Sequence, residues 1–326
     1  MQTKVLNIPT LQDIEEARKR ISKYLLKTPL IYSSSLSKLT GAEVHIKFEN
    51  HNPTCAFKVR GGINFVSKLK AQHSKLSHLL AGSTGNHGQS IAYAGKLFDI
   101  PVTIVCPEGS NPAKVQAIKD SGAEIVFYGK DVFETWEYCE KLAEKKGYIY
   151  VHSVEEPDLI AGVGTIGLEV YEDLPDIDCF ITAVGGGSSI CGASIALKSK
   201  KGSINTYAVQ SSNAPAVYDS FKSKQLITHP NLNTFAEGLA TRNAYKYALD
   251  IMQKYVDDIF LVSDNELKEA ILLLLEHTHN LAEGAGAASL AGLLKYKSLF
   301  HGKKVVCVLT GGNLQLNTLK DILLNA

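Results

Sequence analysis

The stretch His78-Leu79-Leu80-Ala81-Gly82-Ser83-Thr84-Gly85-Asn86-His87-Gly88, followed by Ser90 to Leu97 at helical spacing, decides how the chain is read. A short apolar run ends in a glycine-rich turn, and a helix starts from that turn. Such a turn presents free backbone N–H groups suited to carboxylate or phosphate oxygens. Working outward, the pattern predicts strands over 42–48, 102–106, 124–128, 148–151, 179–184, 205–210, 259–262 and 304–309. Between them it predicts helices over 63–70, 113–121, 132–146, 165–171, 189–198, 264–277 and 287–296, with a packing helix over 10–26 at the start. Strands alternating with helices argue for a parallel α/β sheet. Residues 211–233 lack periodicity and read as a loop-rich connection with one short helix.

Composition narrows the class of function. A chain of 326 residues with 45% hydrophobic content buries a large core and allows about two domains or lobes. With 34 basic and 33 acidic residues, no net field draws nucleic acid or an anionic membrane, which leaves small-molecule chemistry. Six scattered cysteines form no CxxC pair and no zinc or disulfide spacing, so they read as reduced thiols. The start resembles no secretory signal, and the longest apolar stretch, near Ile271 to Leu275, is too short to span a bilayer. A cytoplasmic enzyme fits these observations.

A lysine in Thr54-Cys55-Ala56-Phe57-Lys58-Val59-Arg60-Gly61-Gly62 is the candidate for covalent chemistry. Alone, Lys58 reads as one more solvated cation at the start of a helix. Three glycine-rich loops change that reading, because Ser83 to Gly88, Val184 to Gly192 and Leu309 to Asn313 each follow an expected strand. Gly185-Gly186-Gly187-Ser188 lets the backbone approach an anion closely and opens a helix whose dipole favours negative charge.

Two rival readings lack their context. Gly162-Val163-Gly164-Thr165-Ile166-Gly167 has the GxGxxG spacing of a dinucleotide loop, yet it follows Glu155-Glu156-Pro157-Asp158, which is no strand. His277 and His279 point to different faces of a helix, so spacing assigns no metal.

Phe57-Lys58-Val59-Arg60-Gly61, Ser83-Thr84-Gly85-Asn86-His87-Gly88-Gln89, Ala161 to Thr165, Gly185 to Ser188, Ala236-Glu237-Gly238 and Thr310-Gly311-Gly312-Asn313 occur in this order. In these motifs, essentially over its whole length, the chain resembles the serine/threonine dehydratases and serine racemases, pyridoxal-phosphate (PLP) enzymes of the tryptophan-synthase-β fold (fold type II). The resemblance implies two open parallel-sheet α/β lobes with the cofactor between them: residues 1–55 and 152–326 as a discontinuous large domain and 56–151 as a small one. It implies that Lys58 holds the cofactor covalently, that Phe57 lies against its ring and that Asn86 meets the ring hydroxyl. Gly185, Gly186, Gly187 and Ser188 would cradle the phosphate, and Thr310 would meet the pyridine nitrogen. Ser83, Thr84, Asn86 and His87 would receive the substrate carboxylate.

The expected activity is that of an ammonia-lyase converting L-threonine or L-serine to a 2-keto acid and ammonia, with Lys58 as the base at Cα, in a homodimer. A serine racemase is the second enzymatic reading, and Thr84 stands where racemases of this family place a serine. Changes around His152-Ser153-Val154 and at Val163 leave room for other β-hydroxy amino acids, such as hydroxyaspartate or phenylserine. A non-catalytic two-lobe binding protein is the reading from another class. In metal-activated relatives two acidic side chains hold a divalent cation, and Gln210 and Ala216 fill those places here, so no metal is expected although Asp219 is close in sequence.

Overall fold

The computed structural model describes residues 6–73, 77–110 and 112–325. The chain opens with helix α1 (Leu11–Ile21), strand β1 (Leu30–Tyr32), α2 (Ser34–Thr40), β2 (Glu43–Phe48) and α3 (Lys58–Gln72). It continues through β3 (Leu79–Gly82), α4 (Asn86–Leu97), β4 (Val102–Cys106), α5 (Pro112–Asp120), β5 (Glu124–Phe127), α6 (Val132–Lys146) and β6 (Ile149–Tyr150). Then follow α7 (Pro157–Asp173), β7 (Cys179–Ala183), α8 (Ser188–Lys200), β8 (Asn205–Ser211), α9 (Ala216–Ser223) and α10 (Lys246–Tyr255). The last elements are β9 (Asp258–Val262), α11 (Asp264–Thr278), α12 (Gly284–Lys295), β10 (Lys304–Leu309) and α13 (Leu316–Leu324).

These strands form two sheets. One has the order β1-β2-β10-β7-β8-β9, and the other β5-β4-β3-β6. All pairings are parallel except that of β1 with β2. Strands β3, β4, β7 and β10 read as near-continuous apolar runs because helices cover both faces of a parallel sheet. The chain is therefore an α/β protein of two open lobes with one segment inserted into the other. Among the described residues no helix is long and apolar enough to cross a membrane.

Two long-range devices hold α3, which leads into the small lobe, against the large lobe. Helix α7 crosses α3 and α8 at glycines: a Cβ on Gly192 would stand 2.6 Å from the Gly164 backbone nitrogen, and one on Gly162 would stand 2.7 Å from the Arg60 carbonyl oxygen. The GxGxxG spacing is thus a helix-packing seam, which removes the nucleotide reading on structural grounds. Beside it lies fully buried Arg60, which donates to Glu49 at 2.7 Å and to Glu169 at 2.7 Å. Glu169 also accepts from buried Lys47 at 2.6 Å. Burial alone would push Glu169 up, yet Arg60 and Lys47 hold its carboxyl well below the usual range.

Several helices begin earlier than their sequence spacing predicts. Helix α3 starts at Lys58 rather than Ile63, α4 at Asn86 rather than Ser90, and α7 at Pro157 rather than Thr165. In each case glycines obscure the first turns, although Pro157 at the first position of α7 favours helix. Strand β1 and helices α2, α10 and α13 lie outside the expected elements. Helix α10 buries Tyr247, Ala248, Ile251 and Met252, a helical face present in the sequence and not recognised there.

Candidate active site

Ligands of open α/β sheets bind beyond the carboxyl ends of the strands. Here β3 ends at Gly82, β7 at Ala183 and β10 at Leu309, and the loops that follow converge on one cavity of about 370 Å³ between the lobes. Phe57, Lys58, Ser83, Thr84, Asn86, His87, Gly185, Gly186, Gly187, Ser188 and Thr310 all line it.

Lys58 sits at the first turn of α3, not in a free loop, so its backbone is fixed. Phe57 N donates to Thr310 O at 3.0 Å, and Gly312 N donates to Cys55 O at 2.9 Å, which ties this segment to the loop after β10. The Lys58 Nζ donates to Ser188 Oγ at 2.9 Å and lies 5.4 Å from the centre of the Phe57 ring. Burial lowers its amine to about 8, so a substantial neutral fraction exists near physiological pH.

The loop after β7 has a shape that an anion could enter. Gly187 has φ +106°, open to glycine, and a Cβ on Gly185 would stand 2.2 Å from the Gly238 carbonyl oxygen. Helix α8 starts at Ser188 with no side-chain cap, so its first N–H groups are available to a phosphate.

Asn86 is held from two sides. Its Nδ2 donates to Glu283 Oε1 at 2.6 Å, and its Oδ1 accepts from Asn313 Nδ2 at 2.7 Å, which leaves one N–H of the amide for a ligand. Burial raises the Glu283 carboxyl above its ordinary value. The His87 ring is bound to Val151 O at 3.0 Å, and burial together with Lys58 lowers it to about 3. It is therefore neutral, and what His87 can offer a carboxylate is its backbone N–H at the start of α4, where Gly85 likewise provides no side-chain cap. Thr310 Oγ1 donates to Ala285 O at 3.2 Å.

Sequence reasoning missed Glu283 and the apolar wall of Val132, Phe133, Trp136, Leu232 and Tyr245, all of which line the same cavity. A carboxylate just before Gly284-Ala285-Gly286, and the single tryptophan of the chain, were the available signals.

The family model described as pyridoxal-phosphate dependent enzyme matches residues 21–311. The chain belongs to this family. The L-threonine ammonia-lyase of Thermotoga maritima is 38% identical over 314 residues, covering 96% of this chain and 78% of that protein. The catabolic L-threonine dehydratase of Escherichia coli K12 is 34% identical over 314 residues, covering 96% of this chain and 95% of the relative. Maize serine racemase superposes with a TM-score of 0.92 at 29% identity, covering 98% of each chain.

The residues present fit pyridoxal phosphate. An amine of lowered basicity suits its aldehyde, the Gly185–Ser188 cradle suits its phosphate, and the Phe57 ring offers an apolar surface to its ring. Among the described residues no three His, Cys, Asp or Glu side chains converge on a possible metal position. Gln210 Oε1 instead accepts from Tyr218 N at 2.8 Å, and Asp219 pairs with His229 at 2.7 Å.

Proposed function

We propose that the protein is an ammonia-lyase that converts L-threonine or L-serine to a 2-keto acid and ammonia. The observation that carries the reading is the Lys58 amine, lowered to about 8 and hydrogen-bonded to Ser188 at the lip of the anion cradle. The identities of the relatives above support the same reaction class. When bound, pyridoxal phosphate supplies the electron sink for negative charge at the substrate's Cα.

The chain's own residues then divide the work. Gly185, Gly186, Gly187 and Ser188 hold the phosphate; Phe57, Asn86 and Thr310 fix the ring. The hydroxyls of Ser83 and Thr84 and the backbone N–H groups of Thr84, Asn86 and His87 take the substrate carboxylate, the Ser83 N–H being already given to Val105 O at 3.0 Å. Lys58 removes the Cα proton, the β-hydroxyl takes up a proton and leaves as water, and the released enamine, through its imine, is hydrolysed to the keto acid and ammonia. Thr310, a neutral hydroxyl in place of a carboxylate, would turn its proton from Ala285 O towards the pyridine nitrogen, which would then have no anionic partner to keep it protonated.

Domain limits of 1–55 with 152–326, and 56–151, belong to this proposal and are supported by the division of strands between the two sheets. So do a homodimer and a cytoplasmic location. Exposed Leu26, Ile31 and Tyr32 around edge strand β1 offer apolar surface to a second copy, and the six cysteines are free. Sedimentation of the purified protein measures the first.

Steady-state release of keto acid and ammonia from L-threonine and L-serine tests the activity, with Lys58→Ala as the control. The variant is expected to retain its fold and to lose at least roughly 10²–10⁴-fold in turnover, the usual cost of removing a general base. Turnover near the parent rate refutes the assignment. Racemisation is the second reading, because Thr84 puts a hydroxyl on the cavity wall. Chiral analysis is expected to show far less D-serine than pyruvate, and the reverse ratio favours the racemase.

A further inference from the structure

If Lys58, the Gly185–Ser188 cradle and the Ser83–His87 loop anchor cofactor and carboxylate as proposed, one wall of the cavity has no anchoring duty. Val132, Phe133 and Trp136 from the start of α6 form it together with Leu232 and Tyr245 from the large lobe. Trp136 is fixed by its Nε1, which donates to Gly82 O at 2.8 Å, immediately before Ser83. Its ring makes edge contacts with Phe133 at 5.2 Å and Tyr245 at 6.1 Å. All five side chains remain partly exposed to the cavity rather than packed shut. Ser153, Glu237 and Thr241 also line the cavity without an anchoring duty, but these five side chains are its large apolar group, the surface suited to an apolar substituent on the substrate's Cβ.

None of the five wall residues is a cation, and the two cations nearby already have carboxylate partners. Arg242 lies 4.8 Å over the Phe133 ring, but its guanidinium is paired with Asp131 at 2.9 Å. Lys114, at the other side of the mouth, is paired with Glu237. Burial holds Tyr245 neutral by raising its hydroxyl, so the wall carries no charge of its own.

Resting on the lyase reading, we propose that this aromatic and aliphatic wall is a side-chain subsite for apolar β-substituents of several carbons, so that β-hydroxy amino acids such as 3-hydroxyleucine and 3-phenylserine are better substrates than L-serine. Phe133, Trp136 and Leu232 are its specificity-determining residues. Each additional buried methylene in a hydrophobic pocket discriminates by roughly 10–200-fold, whereas a carboxylate placed here loses its water without gaining a partner.

The test is a kcat/KM comparison on the PLP-loaded enzyme for L-serine, L-threonine, 3-hydroxyleucine, 3-phenylserine and 3-hydroxyaspartate, read as keto acid release. At least about ten-fold preference for 3-hydroxyleucine or 3-phenylserine over L-serine is expected, with 3-hydroxyaspartate the poorest. Phe133→Ala and, independently, Leu232→Ala should each reduce the ratio of 3-phenylserine to L-serine by about ten-fold. Turnover of L-serine or L-threonine with slower release from both larger apolar substrates overturns the subsite and leaves the lyase reading standing. A ratio unmoved in both variants also overturns it. No release from any member of the panel overturns the lyase reading and the subsite with it.

Discussion

Lys58 shows how a side chain with an ordinary basicity in water is changed by its surroundings. The amine is lowered to about 8 by burial, compared with 10.5 for the unperturbed group. At pH 7 its neutral fraction is then roughly 300-fold that of a solvated lysine. In the cofactor-free protein, an amine-reactive label read by mass spectrometry should modify Lys58 with a pH midpoint near 8, well below the surface lysines; a midpoint near 10.5 refutes the argument. The position of this lysine was legible because it lies between an aromatic residue and Arg60-Gly61-Gly62. Its partner Ser188 was legible only as part of a phosphate loop, since their 2.9 Å contact depends on bringing α3 and α8 together. Glu283 shows the same limit more strongly. It fixes Asn86 across a long separation in sequence, and nothing local to either residue announces the pair.

At the scale of elements, the strand–loop–helix order was readable because each glycine-rich turn follows an apolar run, while helix starts were blurred wherever glycines serve packing. Helix α7 is the clearest case. Its glycines looked like a loop, and they admit the backbones of α3 and α8 instead. Arg60 in the same region was read only as a basic neighbour of Lys58, although it anchors α3 to the large lobe through Glu49 and Glu169. Arg60→Ala leaves both carboxylates without their shared partner and is expected to cost about 3–5 kcal/mol, measured as a shift of the denaturant midpoint. Arg60→Lys should recover little, because an ammonium cannot engage two carboxylates with a planar fork. A loss below about 1 kcal/mol in Arg60→Ala would show the network to be dispensable. The pH dependence has a definite sign. Glu169 is held below its unfolded value of 4.5, so its contribution is present above 4.5 and lost as the pH falls towards the folded value. The Arg60→Ala variant should therefore show a flatter acid limb than the parent.

For the molecule as a whole, composition and motif order gave the two-lobed class and the convergence of loops at strand ends. The walls of the cleft were not legible, because Phe133, Trp136, Leu232 and Tyr245 come together only when both lobes are assembled. Metal dependence is also a property of the assembled molecule. With Gln210 bound to the Tyr218 backbone and Asp219 engaged by His229, activity and thermal stability should be unaffected by EDTA or added Mg²⁺. Reversible inactivation by the chelator, reversed by Mg²⁺ or Ca²⁺, would refute this.

The two ion pairs across the mouth, Asp131 with Arg242 and Lys114 with Glu237, join the small lobe to the large one. A hydrophobic seam is indifferent to dissolved salt, but these partly exposed pairs are weakened as the Debye length contracts from about 10 Å at 0.1 M to 3 Å at 1 M. The mouth of the cleft therefore carries its salt sensitivity in these two pairs. Raising ionic strength should quicken the entry and the escape of a neutral ligand together, changing how long each molecule stays inside much more than how tightly it is held.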